Sequence, residues 1–228
     1  PLINKWVKKT GGENKFVNGL RVTRKDTMEI VEMVLSGNVN KRLSSILSIR
    51  GLNAIGISGK DSNLIQAKKK YVIEDGKKID IGFVGEVANI NTKILLTLLK
   101  NKYIPVISPV GVGCMGNSYN INADYAAAAI SGVLKAEKLL IMTDIDGVYT
   151  DITDPTTLLS SITVAQTKEF ISKGMIYGGM IPKLECCVAA INKGAKNVHL
   201  VDGRKKHGLL LNIIKDSGTK IITAKGVI

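Results

Sequence analysis

The chain has 228 residues, 45% of them hydrophobic and 4% aromatic, which excludes a disordered chain and allows one large domain or two smaller ones. A count of only three Cys excludes a disulfide scaffold and indicates a reducing compartment. No uncharged apolar stretch reaches the roughly 18–20 residues that a transmembrane helix needs. The net charge of +13 comes from 27 Lys and only 5 Arg spread along the chain. This pattern argues against a nucleic-acid partner and favours attraction of small anionic substrates.

Helical spacing of apolar residues predicts helices over residues 2–7, 26–35, 40–49, 91–99, 123–134, 164–172, 182–192 and 208–214. Short apolar runs predict strands over residues 54–57, 64–67, 82–87, 103–107, 138–143, 198–201 and 221–223. Their alternation predicts an α/β fold, a three-layer αβα sandwich around an open, mainly parallel sheet. We place the boundary between an N-terminal lobe (residues 1–134) and a C-terminal lobe (residues 135–228) where the buried Ala-rich helix ends.

Three glycines, Gly111, Gly113 and Gly116, match the spacing G-x-G-x-x-G of dinucleotide-binding loops. That motif requires a helix at its last glycine, whereas residues 116–120 are typical of a turn. The segment is therefore predicted to be a β-hairpin. His199 and His207 have no evident nucleophile partner, and each is interpreted as structural or as a surface residue.

Polar residues Asn120, Asn122 and Asp124 directly precede the predicted helix at residues 123–134. If the segment is extended, their side chains point to one side, towards a helix N-terminus that favours an anion. The alternative is a simple helix cap, which Asp124 alone would supply.

A second cluster places Gly178 and Gly179 shortly before Lys183. Glycines allow a ligand to approach the backbone, and a Lys in the first turn of a helix opposes the helix dipole unless an anion lies nearby. The alternative is an exposed surface Lys.

Two weaker signals complete the pattern. Residues 140–148 form a strand that runs into an acidic turn, and in open parallel sheets ligands bind beyond the carboxyl ends of strands. Arg21 follows a turn and could bind a carboxylate in a bidentate manner, although a lone Arg is usually a surface charge.

Eight stretches in order along the chain carry a family resemblance: NGLRVT (18–23), GLNAIGISGKD (51–61), GFVGEV (82–87), YIPVISPVG (103–111), YNINADYAAAAI (119–130), AEKLLIMTDIDGVY (136–149), GGMIPKL (178–184) and VHLVDGR (198–204). They resemble the amino acid kinase family, and within it the enzymes that act on N-acetyl-L-glutamate. The resemblance implies transfer of a phosphoryl group from ATP to the side-chain carboxylate of N-acetyl-L-glutamate. The product would be N-acetyl-L-glutamyl 5-phosphate, in arginine biosynthesis.

The resemblance also implies residue roles. Lys183 and Asp124 would be catalytic, with Lys183 stabilising the moving phosphoryl group and Asp124 orienting the catalytic lysines. Arg21, Asn120 and Asn122 would hold the acetylglutamate. The nucleotide pocket would be lined by Asp144, Ile145, Asp146, Gly147, Val148, Tyr149, Met175, Ile176 and Tyr177. Mg²⁺ would be carried by the nucleotide, without a metal site of the protein's own. Such a site suits phosphoryl transfer, which depends on positioning and charge neutralisation.

One departure from the family concerns the start of the chain. Family members carry their first strand, with a catalytic Lys, and a glycine-rich loop upstream of the segment equivalent to Pro1 and Leu2. We therefore expect the first strand to be absent, and residues 1–228 alone to be weakly active or inactive.

Alternatives to this function remain open at this point. They are another kinase of the same fold, acting on carbamate, glutamate or a uridylate, and a truncated, non-catalytic regulatory partner. The resemblance implies a homo-oligomer and makes the PII signalling protein, which binds this kinase in oxygenic relatives, a candidate partner. The high content of Lys, Ile (29) and Asn (16) indicates an AT-rich genome and, with the family, a plastid stroma or else a bacterial cytoplasm.

Overall fold

A computed structural model describes residues 1–223. Its α-helices are Leu2–Lys9 (α1), Lys25–Glu32 (α2), Asn40–Ile49 (α3), Lys93–Lys100 (α4), Ala123–Val133 (α5), Val164–Ser172 (α6), Met180–Asn192 (α7) and Gly208–Lys215 (α8). Its strands are Phe16–Val17 (β1), Leu20–Arg21 (β2), Ala54–Ser58 (β3), Ile65–Glu74 (β4), Lys77–Ile90 (β5), Ile104–Ser108 (β6), Val110–Val112 (β7), Ser118–Ile121 (β8), Lys138–Thr143 (β9), Ser161–Thr163 (β10), Asn197–Asp202 (β11) and Thr219–Ile222 (β12). Within these residues no helix is long and apolar enough to cross a membrane.

The chain forms two compact units, Pro1–Ala126 and Ala127–Ile228. The division lies inside α5, so the first turn of this helix belongs to the first unit and its later turns to the second. The predicted boundary at residue 134 differs from this position because the prediction took the end of the helix as the end of the lobe.

In the first unit, β3 and β6 form a parallel pair against which α3 packs. Asn40, buried at the start of α3, donates from Nδ2 to the carbonyls of Ile57 (3.0 Å) and Val106 (2.8 Å), one in each strand. A second group of strands, β4-β5-β8-β7, closes into a small barrel. The sequence did not predict this barrel. β7 and β8 form the predicted hairpin in place of a dinucleotide-binding loop.

The core of the first unit is built from small apolar clusters. Met28 and Val31 of α2 pack with Val110 of β7, while Val72, Ile81 and Val84 pack within the β4–β5 hairpin. The first cluster holds α2 against the barrel strand β7, and the second holds β4 and β5 together, because burial of each aliphatic side chain contributes roughly 1.5–3 kcal/mol.

In the second unit, four strands form an open sheet in the order β10-β12-β11-β9. β9 pairs with β11, and β10 with β12, in parallel, whereas β11 and β12 are antiparallel. Residues on both faces of β11 are buried, and α7 and α8 both pack against this strand. Strands covered on both faces are typical of an αβα sandwich, so the predicted α/β class is confirmed.

Candidate functional site

In the first unit, a tight hairpin places Arg21. β1 and β2 are joined by Asn18 and Gly19, which have φ angles of 47° and 76°. Positive φ at both central residues is what a type I′ turn requires, and Asn-Gly is a favoured sequence for it. Arg21 lies at the end of β2, with its guanidinium 4.7 Å from the centre of the Phe16 ring.

The guanidinium of Arg21 is already held by neutral acceptors. It donates to Asn14 Oδ1 at 2.5 Å and to Asn4 Oδ1. Partial burial lowers the pKa of Arg21 from its ordinary value, but a guanidinium remains charged in proteins. An incoming carboxylate would replace amide oxygens by a charged, bidentate acceptor, which forms stronger hydrogen bonds. The predicted substrate clamp is therefore oriented before any ligand arrives.

Thr23 links Arg21 to Asn120. Thr23 is fully buried, and its Oγ1 donates to the Arg21 carbonyl at 2.9 Å while it accepts from Asn120 Nδ2 at 3.2 Å. Asn120 lies on β8 opposite Val84 of β5. The structure thus connects two of the predicted substrate-binding residues through a threonine that the sequence analysis did not single out.

Asn122 has a structural role at the start of α5. Its Oδ1 accepts the backbone N–H groups of Asp124 (2.9 Å) and Tyr125 (3.3 Å), as a helix N-cap does. The alternative interpretation gave the cap to Asp124, which was wrong. Since its oxygen is engaged, Asn122 can offer a ligand only its amide N–H groups. Asp124 is half-buried in the first turn of α5, where the helix dipole stabilises a carboxylate.

A half-buried carboxylate supports the strand that carries Asn120. Glu32 Oε1 lies 2.7 Å from Lys60 Nζ, and its Oε2 accepts from Ser118 Oγ at 2.8 Å. Ser118 lies two residues before Asn120, on the same face of β8. Glu32 therefore fixes β8 to α2. No sequence motif marked this contact, because its members are far apart along the chain.

In the second unit, the turn after β9 and the segment before α7 enclose a cavity of about 170 Å³. Seven of the nine predicted nucleotide-binding residues line it: Ile145, Gly147, Val148, Tyr149, Met175, Ile176 and Tyr177. Asp144 and Asp146 do not line it. Ile152 and Met180 also line the cavity and were missed, since no local pattern distinguishes them from other apolar residues.

Three carboxylates lie at the carboxyl ends of two strands: Asp144 and Asp146 just after β9, and Asp202 as the last residue of β11. The guanidinium of Arg204 donates two hydrogen bonds to the Asp202 carboxylate, from Nε at 2.9 Å and from a terminal nitrogen at 3.1 Å. This pairing lowers the pKa of Asp202 to about 2. Asp146 Oδ1 lies 2.5 Å from Lys205 Nζ, which raises the pKa of Lys205. Asp144, by contrast, is exposed.

These ion pairs change the electrostatics of the edge. Arg204 and Lys205 offset two of the negative charges, so anionic phosphates meet less repulsion than three bare carboxylates would cause. Within residues 1–223, no group of three His, Cys, Asp or Glu side chains could hold a metal ion.

Lys183 lies at the N-terminal end of α7, as predicted, but the helix begins earlier. It starts at Met180 rather than at Pro182, because proline is tolerated anywhere that its missing N–H would have had no partner inside the helix. Lys183 is half-buried in the first turn. Asp124 belongs to the first unit and Lys183 to the second, and joint action of the two residues stays a prediction.

Comparison with known proteins identifies the fold family. Residues 1–202 match the model of the amino acid kinase family. The chain is 49% identical over 227 residues to acetylglutamate kinase of Clostridium acetobutylicum, covering all of this chain and 77% of that protein. It is 48% identical to acetylglutamate kinase of Methanococcus aeolicus, covering 96% of this chain and 76% of that protein.

Solved structures agree with this assignment. The protein smu.665 of Streptococcus mutans superposes with a TM-score of 0.78 at 31% identity, over 97% of this chain and 82% of that one. N-acetylglutamate synthase of Neisseria gonorrhoeae, in complex with coenzyme A and N-acetyl-glutamate, superposes with a TM-score of 0.82 at 22% identity, over 97% of this chain and 49% of that one. At that identity the second likeness shows the fold alone. The chain belongs to the amino acid kinase family.

Proposed function

We propose that this protein is an acetylglutamate kinase, a phosphotransferase with a carboxyl group as acceptor. It transfers the γ-phosphoryl group of ATP to the side-chain carboxylate of N-acetyl-L-glutamate and so forms N-acetyl-L-glutamyl 5-phosphate in arginine biosynthesis. The observation that carries the proposal is 49% identity, over the whole chain, to a protein named acetylglutamate kinase.

The first unit offers groups suited to an acylated amino acid. Arg21 provides a preformed cation for one substrate carboxylate. Asn120, tied to Thr23, and Asn122, through its free amide N–H groups, provide donors for the acetyl carbonyl and the second carboxylate. An acceptor without an acetyl group would leave such a donor unpaired, and this penalty favours the acylated substrate.

The second unit offers a nucleotide pocket. Its cavity is walled by aliphatic and aromatic side chains, with residues 147–149 at one side. Such a slot suits a flat purine ring held by a few polar groups. Mg²⁺ bound to the ATP phosphates would neutralise charge that builds up during transfer.

The reaction forms one bond and breaks one. A side-chain carboxylate oxygen of acetylglutamate attacks the γ-phosphorus, and the bond to the bridging oxygen breaks as ADP leaves with its electron pair. The attacking carboxylate is already ionised, so no general base is required. Lys183 stabilises the transferred group, while the role of Asp124 in orienting the catalytic lysines rests on the family resemblance. Preorganised charge of this kind is usually the largest catalytic contribution.

A panel of acceptors tests the proposal. The protein encoded by the complete reading frame that contains these residues is assayed for ATP-dependent ADP release with N-acetyl-L-glutamate, L-glutamate, carbamate and UMP. Hydroxylamine traps any acyl phosphate as a hydroxamate. We expect ADP and hydroxamate in equal amounts with N-acetyl-L-glutamate and little of either with the others. Equal or faster turnover of another acceptor contradicts the proposed substrate, and no turnover of any acceptor favours a non-catalytic regulatory partner.

Three further proposals rest on the resemblance alone. A homo-oligomer is tested by light scattering of the purified protein, and binding of the PII signalling protein by titration calorimetry. A plastid origin, as against a bacterial one, is tested by locating the gene. None of the three affects the acceptor assay.

A further inference from the structure

The proposed nucleotide-binding turn is part of a long loop, residues 144–160, that connects β9 to β10. We call this loop the excursion. Its two ends are joined at a neck, which we define as residues 147–149 and 158–160. Tyr149 and Leu158 form an isolated antiparallel bridge, and the Leu159 N–H donates to the Val148 carbonyl at 2.8 Å. The shape of the excursion therefore depends on how this neck is held.

A single hydroxyl from another strand holds both sides of the neck. Thr219, at the start of β12, is fully buried. Its Oγ1 accepts the Val148 N–H at 2.9 Å and donates to the Leu159 carbonyl at 2.6 Å. Thr219 thus uses both its donor and its acceptor on backbone groups that would otherwise be buried with fewer partners.

The neck leaves no room for a different arrangement. A Cβ at Gly147 would lie 2.4 Å from Thr219 Oγ1, a separation too short for non-bonded atoms. A residue with a Cβ at position 147 would therefore clash with the Thr219 hydroxyl. Residue 219 of β12 thus constrains the backbone of residues 147–149.

The same residues form one side of the cavity. Gly147, Val148 and Tyr149 line it directly, whereas Thr219 does not. We propose that Thr219 is a positioning residue for nucleotide binding: it touches no ligand, and it fixes the pocket wall through the Val148 backbone. This inference rests on the assignment of the cavity to a nucleotide.

Paired substitutions separate this role from a general contribution to folding. Thr219→Val keeps the shape of the side chain and removes the hydroxyl, and Thr219→Ser keeps the hydroxyl. Thr167→Val is the matched control, because Thr167 is also a buried threonine of the second unit, bonded to the Thr163 carbonyl at 3.0 Å and outside the cavity. Gly147→Ala perturbs the neck from the other side if Thr219→Val does not fold.

Two quantities are measured for the complete protein: the dissociation constant of a non-hydrolysable ATP analogue by calorimetry, and the KM of each substrate. For Thr219→Val and Gly147→Ala we expect nucleotide affinity to fall about tenfold, the effect of one lost backbone-anchoring hydrogen bond. The KM for N-acetyl-L-glutamate should stay unchanged. Thr219→Ser and Thr167→Val should bind nucleotide as the unaltered protein does.

A stability role alone predicts a lower folded fraction and a lower kcat, with the nucleotide dissociation constant unchanged; that result for Thr219→Val overturns the proposal. Equal weakening by Thr219→Ser and Thr219→Val overturns it as well, because the hydroxyl would then be irrelevant. The analogue binds without an acceptor. A protein that binds nucleotide without phosphorylating acetylglutamate therefore refutes the proposed acceptor, while the affinities of the Thr219 variants still test the positioning role.

Discussion

Single residues show what the sequence could and could not reveal about the site. Motifs marked Arg21 and Asn120, which the structure links through Thr23, and the family resemblance marked most of the residues that line the second unit's cavity. Sequence reasoning missed Thr219 because its partners lie on an excursion some sixty or seventy positions earlier in the chain. A contact between distant segments leaves no local pattern, whereas a turn or a helix start does.

Lys183 is expected to act on the transition state. Lys183→Met should lower kcat by roughly two to three orders of magnitude, since it removes one fixed cation from the transferred group. Both KM values should change little, because the interaction strengthens only during transfer. Steady-state kinetics of the complete protein measure this. Lys173→Met is the control, as Lys173 is an exposed residue of α6's C-terminal end paired with Glu169. A kcat within a few-fold of the unaltered value for Lys183→Met would show that the assigned role is wrong.

His199 makes the stability of the folded protein depend on pH. It is fully buried, Asn212 Nδ2 lies 3.2 Å from its Nδ1, and burial, reinforced by Lys138, lowers the pKa of His199 to about 4. Because the unfolded pKa is near 6.5, the unfolded chain takes up the proton first. The stabilisation by neutral His199 is therefore complete above pH 6.5 and is lost as the pH falls towards 4.

The expected loss of unfolding free energy between pH 7.5 and pH 5.0 is about 2 kcal/mol. Urea unfolding at the two pH values measures it. His199→Gln should remove most of this pH dependence, while His207→Gln, at an exposed histidine, should leave it. If His207→Gln removes it and His199→Gln does not, the assignment is refuted.

Among the elements, helices were predicted better than strands. α6 and β9 have the predicted bounds, and in α6 the capping box of Thr163 and Gln166 agrees with the apolar periodicity. β4 and β5 are much longer than predicted, since the predicted strands 64–67 and 82–87 leave out the Lys-rich residues 68–70 and 77–78. They lie on a hairpin exposed to solvent, where charged side chains are compatible with a strand. α2 and α3, predicted as separate helices, are joined by the π-helical segment Met33–Val39.

The docking of the β2 segment on β5 supplies an element-scale prediction. Thr23 and Gly82 form an isolated parallel β-bridge, and the Phe83 N–H donates to the Thr23 carbonyl at 2.6 Å. A Cβ at Gly82 would lie 2.2 Å from that carbonyl oxygen. Gly82→Ala should therefore destabilise the protein by about 2–4 kcal/mol, through backbone strain at φ +78° and loss of the hydrogen bond to the Thr23 carbonyl.

Gly116→Ala is the matched control for that substitution. Gly116 has a similar φ of +82°, but nothing lies within 4 Å of its Cβ position. Gly116→Ala should therefore lower the unfolding free energy only by the backbone strain, roughly 1 kcal/mol. Urea unfolding compares the two variants, and equal losses would show that the contact between β2 and β5 contributes nothing beyond strain.

At the scale of the whole molecule, each compact unit is expected to bind one of the two substrates. The net charge of +13 favours anions in general and does not distinguish acetylglutamate from ATP. The distinction comes from the local chemistry: a guanidinium and amide groups in Pro1–Ala126, and an apolar cavity beside neutralised carboxylates in Ala127–Ile228. Sequence composition could indicate only the charge, whereas the predicted lobe boundary and the family resemblance already placed the two groups of residues in different lobes.

Backbone amide chemical shifts of ¹⁵N-labelled protein test this division of substrates most directly. Acetylglutamate alone and a non-hydrolysable ATP analogue with Mg²⁺ are titrated separately. We predict that acetylglutamate shifts the amides of residues 20–23 and 120–122, and that the analogue shifts those of residues 147–149 and 175–177. The division is contradicted if acetylglutamate shifts residues 147–149 and 175–177 instead, or if the analogue acts on residues 20–23.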